Sequence, residues 1–179
     1  MAGDDRIRLF CALQLQEETL DALGAWQERE LRGAGGRPVP RGNLHVTLAF
    51  LGSRPAGETE RIAGELRAAA AAAAPAELRP LRYRETRSVG MIVCEDVTGA
   101  ATALAEDVQV RLERLGAYRR EARPWLPHVT VLRFRRPEGL RPEVANTCSI
   151  HVVRSALYRS ILGRDGARYD VLETAFLGG

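Results

Sequence analysis

Two of the three histidines in this 179-residue chain lie in the same tripeptide, His45-Val46-Thr47 and His128-Val129-Thr130. Core packing has no use for the same polar pair twice, so the repeat points to chemistry. Imidazole is the side chain whose ordinary pKa, about 6.5, lets it take or give a proton near neutrality. One ring can draw a proton from water or a hydroxyl, and the second can protonate a departing oxygen. Two threonine hydroxyls beside them can donate hydrogen bonds to the non-bridging oxygens of a phosphate. His45, Thr47, His128 and Thr130 together supply a base, an acid and an anion clamp. Such a set suits a phosphate ester and requires no metal.

Both tripeptides read as strands, in Asn43–Leu51 and His128–Phe134. Alternation puts His and Thr on one face, and Val46 with Leu48, or Val129 with Val131, on the other. The apolar face can seal a core while the polar face lines a groove. A strand at Arg6–Leu15 and a helix at Glu17–Leu31 precede the first copy, the helix ending at Gly33-Ala34-Gly35-Gly36. After the first copy come a loop at Gly52-Ser53-Arg54-Pro55 and a helix from Glu58 to Ala74, stopped by Pro75. Glu77–Val97 reads as two strands joined near Ser88–Gly90, and Gly99–Leu115 as a third helix. Ala117–Pro127 is an arginine-rich loop leading into the second copy, and Arg135–Asn146 a connector rich in proline and arginine. Last strands are expected at Thr147–Tyr158 and Arg168–Leu177, with a turn at Gly163-Arg164-Asp165-Gly166. Each half thus contains a helix, a His-Val-Thr strand and further β structure. Two such halves related by an approximate two-fold would bring the histidine strands to the centre. Neither GxGxxG nor GxxxxGK[ST] occurs, which disfavours Rossmann and P-loop nucleotide sites.

Composition narrows the setting. The three cysteines, Cys11, Cys94 and Cys148, form no CxxC pair. Disulfides and thiolate zinc are disfavoured, and a reducing, cytoplasmic setting is expected. Cys11 lies in an apolar run and is read as a buried structural thiol. No signal peptide is recognised ahead of the first strand, and the run Ala68–Ala74 is too short to span a membrane. Every one of the 26 basic residues is arginine, and the formal net charge is +3. Guanidinium forks suit phosphate oxygens. His151 lacks a threonine two positions on and is read as structural. Trp125 and Tyr158 are read as packing, and Trp26 as core or helix surface. A zinc site built from His45, His128 and His151 is disfavoured, because neither HExxH nor a cysteine cluster accompanies them.

The paired HxTx motifs, Arg8-Leu9-Phe10, the block NLHVTLAFLG at Asn43–Gly52, PHVT with Arg133, and Leu157-Tyr158-Arg159-Ser160 with a later Gly-x-x-Tyr resemble the 2H phosphoesterase superfamily. Within it they resemble the RNA 2′,3′-cyclic phosphodiesterases, also called 2′-5′ RNA ligases. The resemblance runs from about Arg6 to Leu177. It implies one bilobal α+β domain over residues 1–179, with pseudo-symmetric lobes of antiparallel sheet, outer helices and a central cleft. It implies hydrolysis of an RNA terminal 2′,3′-cyclic phosphate to a 2′-phosphate, without cofactor, and reversible 2′-5′ ligation. His45 would protonate the leaving 3′ oxygen and His128 would activate water; the near symmetry of the site leaves the exchanged roles open. Thr47 and Thr130 would hold the phosphate, Arg133 would pair with it, and Phe50 would stack on a base. Phe50 and Arg133 each lie five residues after a histidine, so strict alternation would turn them away from it. Either a bulge or a strand end must intervene, or they act from the cleft rim. The expected partner is an RNA or oligonucleotide end, with no membrane, and the expected state is a monomer. Two alternatives stay open: a sister enzyme acting on a small nucleotide such as an ADP-ribose cyclic phosphate, and a non-catalytic RNA-end-binding protein.

Overall fold

The computed structural model describes residues 5–144, 149–164 and 166–178. In chain order the strands are β1 Arg6–Gln14, β2 Arg37–Pro38, β3 His45–Pro55, β4 Ala76–Glu85, β5 Val89–Asp96, β6 His128–Arg133, β7 Ile150–Val152, β8 Arg154–Gly163 and β9 Gly166–Phe176. The helices are α1 Glu17–Glu30, α2 Thr59–Ala72 and α3 Ala100–Arg114. All strand pairings are antiparallel, in the order β7-β4-β5-β6-β3-β1-β8-β9, with β2 alongside β6.

The order is symmetric about its middle. β1 and β3 form one half of the sheet with β8 and β9; β5 and β6 form the other with β4 and β7. The strands carrying the two His-Val-Thr copies are neighbours at the junction, as a two-fold between the halves requires. They meet at a single pair, Val46 opposite Val129, and both valines are fully buried. β7 and β8 lie far apart along the sheet, yet only Val153 separates them in the chain. The sheet therefore curls so that its two halves approach.

Two readings of the sequence need correction, and one short strand has no sequence signal. β3 continues through Gly52-Ser53-Arg54-Pro55, which composition marks as a loop. Pairing with β1 as far as Arg6 opposite Pro55 overrides the Gly and Pro signals, and Pro55 is tolerated because it is the last strand residue. The single strand expected at Thr147–Tyr158 is two, β7 and β8, which pair with different halves. β2 was not foreseen, since two residues carry no periodicity. Thr147, Cys148 and Asp165, which fall in the expected last strand and turn, lie outside the described residues.

Each helix buries one stripe. In α1 it is Thr19, Leu20, Leu23, Trp26 and Gln27; in α3 it is Ala101, Leu104, Ala105, Val108, Gln109 and Leu112. These are i, i+3/i+4, i+7 spacings, the signature of a helix with one core-facing side. α1 leaves β1 but packs on the other half: the Trp26 indole sits 6.4 Å from the Tyr83 ring of β4, and its N–H donates to the Glu143 carbonyl at 2.7 Å. α3 packs on β3, β4 and β5. α2 covers β8 and β9 and touches α3. Cys11 and Cys94 are both buried, and burial pushes their thiols up to about 12, which leaves them inert.

Candidate functional site

Antiparallel pairing at Val46 and Val129 sets the register of everything beside it. One step outward, His45 lies opposite Thr130 and Thr47 opposite His128. The two histidines thus lie diagonally on either side of the Val46–Val129 pair. The burial patterns of the two strands agree residue for residue: His half-buried, Val buried, Thr half-buried, two buried apolar residues, then an exposed one.

The two consecutive buried residues mark a bulge in each strand. Against β1, Ala49 pairs with Cys11 and Thr47 with Ala12, so Leu48 has no partner in register. Against β5, Leu132 pairs with Gly90 and Thr130 with Met91, so Val131 has none. Each bulge falls three residues after its histidine. One extra residue reverses the phase of alternation, and Phe50 and Arg133 return to the face of His45 and His128. Both are exposed, Phe50 at 47%.

The rings are held alike. Nδ1–H of His45 donates to the Asn43 carbonyl at 2.7 Å, and Nδ1–H of His128 donates to the Leu126 carbonyl at 2.8 Å. A carbonyl only accepts, so each neutral ring keeps its proton on Nδ1 and leaves the Nε2 lone pair available. Nε2 of His45 accepts from the Thr47 hydroxyl at 3.0 Å. The surroundings then differ. The His45 ring lies 4.9 Å from Phe10 and 5.5 Å edge-on from Tyr169, with Tyr158 stacked behind Phe10. Burial among these rings lowers His45 from 6.5 to about 4, reinforced by the charges of His128 and Arg133 and opposed by the Asn43 carbonyl.

The cleft has two recesses that meet at Thr47 and Phe50. One, of about 300 Å³, holds His45, Thr130 and Arg133 with Arg8, Asn43 and Tyr169. The other, of about 560 Å³, holds His128 with Trp125, Tyr118 and Arg84. Of the six expected site residues, His45, Thr130 and Arg133 line the first recess, His128 lines the second, and Thr47 and Phe50 line both. His151 lines neither: it is exposed on β7, three strands from β6. Among the described residues no three His, Cys, Asp or Glu side chains gather as a metal site needs. Trp26 is core, as one reading allowed, and Tyr158 packs beneath His45. Trp125 lines the His128 recess, and its indole donates to the Thr47 carbonyl at 2.9 Å.

Arg8, Asn43 and Tyr169 lie in the motifs that carry the family resemblance but are given no role by the sequence. The Arg8 guanidinium lies 4.7 Å over the Phe50 ring, so the two together present a planar stacking surface. Its signal was present in β1, where Arg8 and Phe10 share the face opposite the apolar Ile7, Leu9 and Cys11. Asn43 supplies the carbonyl that orients His45, and its amide donates to the Ala167 carbonyl of β9 at 2.7 Å. Only folding joins these segments.

Residues 13–82 match the family described as LigT like phosphoesterase. The RNA 2′,3′-cyclic phosphodiesterase of Thermus thermophilus is 33% identical to this chain, covering 97% of it and 91% of the relative. The crystal structure of TT0787 of Thermus thermophilus superposes with a TM-score of 0.83 at 33% identity, covering 97% of this chain and 99% of that one. Escherichia coli LigT complexed with 3′-AMP superposes with a TM-score of 0.81 at 25% identity, covering 98% of this chain and all of that one. With a third of its residues shared over nearly its whole length, the chain belongs to the LigT-like (2H) phosphoesterases, in the family of the RNA 2′,3′-cyclic phosphodiesterases.

Proposed function

We propose that this protein hydrolyses the terminal 2′,3′-cyclic phosphate of RNA to a 2′-phosphate, with His45 and His128 as its acid and base. The observation that carries this reading is the duplicated ring geometry. Two imidazoles on adjoining strands are each tied through Nδ1 to the carbonyl two residues back, on either side of the Val46–Val129 pair. Water attacks phosphorus and gives a proton to His128. The bond from phosphorus to the 3′ oxygen breaks, and that oxygen takes a proton from His45. The product carries a 2′-phosphate and a free 3′ hydroxyl. Thr47 and Thr130 donate to the non-bridging oxygens, and Arg133 opposes their charge. Phe50, backed by Arg8, offers its face to the terminal base.

His45 is neutral in the empty site at neutral pH. A bound phosphate anion offsets the desolvation and the repulsion from His128 and Arg133, so binding draws in the proton that the acid role requires. The resulting arrangement is nearly symmetric, and run backwards it joins a 5′ hydroxyl to a cyclic phosphate in a 2′-5′ bond. RNA is favoured over a small nucleotide by a groove of about 890 Å³ that opens beside Arg133 and carries Arg37, Arg135 and Arg136. The relatives' substrate and the 3′-AMP bound by Escherichia coli LigT support a nucleotide end in this cleft.

The test is turnover of a panel of cyclic-phosphate dinucleotides, oligonucleotides and ADP-ribose cyclic phosphate in excess EDTA, with products separated as 2′- or 3′-phosphates. A 2′-phosphate product from the RNA substrates, undiminished by EDTA, is expected. A 3′-phosphate product would exclude the assigned leaving group. Turnover confined to the ADP-ribose compound would move the assignment to the sister activity.

A further inference from the structure

A strand bulge leaves a residue outside the ladder, and its buried carbonyl must find a donor elsewhere. Here both bulges find the same kind of donor. The Gln27 side-chain amide donates to the Val131 carbonyl at 2.7 Å and to the Val39 carbonyl at 3.0 Å. The Gln109 side-chain amide donates to the Leu48 carbonyl at 2.9 Å. Leu48 and Val131 are the bulged residues of β3 and β6. Both glutamines are buried, and each occupies a place in the otherwise largely apolar stripe of its helix. The arrangement is crossed. Gln27, on the helix that follows β1, holds the His128 strand; Gln109, on the helix that follows β5, holds the His45 strand.

Helix packing alone does not require a buried amide at these two positions. Leucine or methionine would fill the stripe but remove the side-chain donor to the Leu48 carbonyl, and leave the Val131 carbonyl with the Val39 backbone N–H at 2.9 Å in place of two donors. The bulge is also the one device that turns Phe50 and Arg133 toward the histidines. We propose that Gln27 and Gln109 are positioning residues: each fixes the bulge of the opposite half, and thereby sets where Arg133 and Phe50 meet the substrate. Gln27 acts through Arg133, and Gln109 acts through Phe50. The histidines and threonines precede the bulges and keep their own ties, so the reacting centre is left in place.

The inference rests on the proposed function only for its kinetic readout. The experiment is a pair of double-mutant cycles, Gln27→Met with Arg133→Ala and Gln109→Met with Phe50→Ala. Each single glutamine variant is expected to raise KM roughly 5- to 30-fold, the factor that one or two lost buried interactions set. kcat is expected to stay within about threefold, because the bonds of the acid–base pair are untouched. In the Arg133→Ala background Gln27→Met should change KM by less than about twofold, while Gln109→Met keeps its effect; the Phe50→Ala background should show the converse. Equal effects in every background, or a fall in kcat alone, would overturn the proposal. Gln27→Asn and Gln109→Asn, which keep an amide but fall one carbon short, serve if the methionine variants fold poorly. If the wild-type protein turns over no cyclic phosphate, the functional reading fails separately. Crystal structures of the variants then decide the positioning claim: movement of Arg133 or Phe50 by about 1 Å with both imidazoles in place sustains it, and no movement ends it.

Discussion

At the residue scale the two histidines share one tautomer and differ in their surroundings. Replacing either with alanine should cost on the order of 10²–10⁴ in kcat, the scale of a positioned acid or base. Thr47→Ala and Thr130→Ala should cost less than the histidine changes, because each removes one donor to a charge that other donors still meet. Initial rates on a cyclic-phosphate dinucleotide check both. The aromatic box around His45 also has a consequence in pH. With its pKa lowered to about 4, the buried ring stays neutral where the unfolded chain, with histidine near 6.5, takes up a proton. From pH 6.5 down to about 4 the unfolded state therefore binds more protons, and this contribution to stability is lost as pH falls through that window. His45→Gln should flatten the slope of the urea midpoint against pH there, with no change above pH 7. In kcat/KM, which reports the free enzyme, the acid limb should fall near pH 4 and a second limb should appear above it. A profile with one limb would count against a pair of titrating histidines.

At the element scale the bulges decide what the strands present. Without them Phe50 and Arg133 would be buried and Leu51 would face the cleft. The short strand β2 supports the same place from the other side, with Arg37 opposite Arg133 and Pro38 opposite Leu132. Gly36 makes that approach possible, because a Cβ there would lie 2.7 Å from the Arg133 carbonyl oxygen and 3.1 Å from the Leu132 side chain. Gly36→Ala should therefore destabilise the fold by about 1–3 kcal/mol, the usual cost of forcing atoms into a packed site, and should raise KM through Arg133. Urea unfolding and steady-state kinetics read the two effects. The glycine run that composition marks only as a helix stop thus has two functions. Gly33, at φ +80°, turns the chain after α1, and Gly36 lets β2 lie against β6.

At the scale of the whole molecule, a groove lined by Arg37, Arg133, Arg135 and Arg136 is the proposed path for RNA beyond the terminal nucleotide. Single-stranded contacts to phosphate release counterions, with a slope near 0.7 in log affinity against log salt for each phosphate. KM for an oligonucleotide should thus rise more steeply with salt than KM for a dinucleotide. Arg135→Ala with Arg136→Ala should bring the two slopes together, leaving kcat on the dinucleotide unchanged. Kinetics across a salt series checks this. No helix among the described residues is long and apolar enough to cross a membrane.

Much of this protein is written in local pattern. Periodicity marked β1, α1, β3, α2, α3 and β6 to within a few residues, because each buries one face and the chain records which. The repeated His-Val-Thr pointed to the proposed acid, base and anion clamp, since that polar pair has no packing reason to recur. What the pattern left open was everything that depends on a distant partner. Whether Phe50 and Arg133 face the histidines depends on a one-residue slip against β1 and β5, and no property of β3 or β6 alone reveals it. Arg8, Asn43 and Tyr169 enter the site from three separate segments. Gln27 and Gln109 look in sequence like faults in two apolar stripes, and only the crossing of each helix to the opposite half shows which carbonyl they satisfy. The sequence by itself determined which side chains are proposed for the chemistry, because residue type and spacing are local properties. Tertiary structure decided how they are aimed, because aim depends on strand register and on hydrogen bonds between segments far apart in the chain.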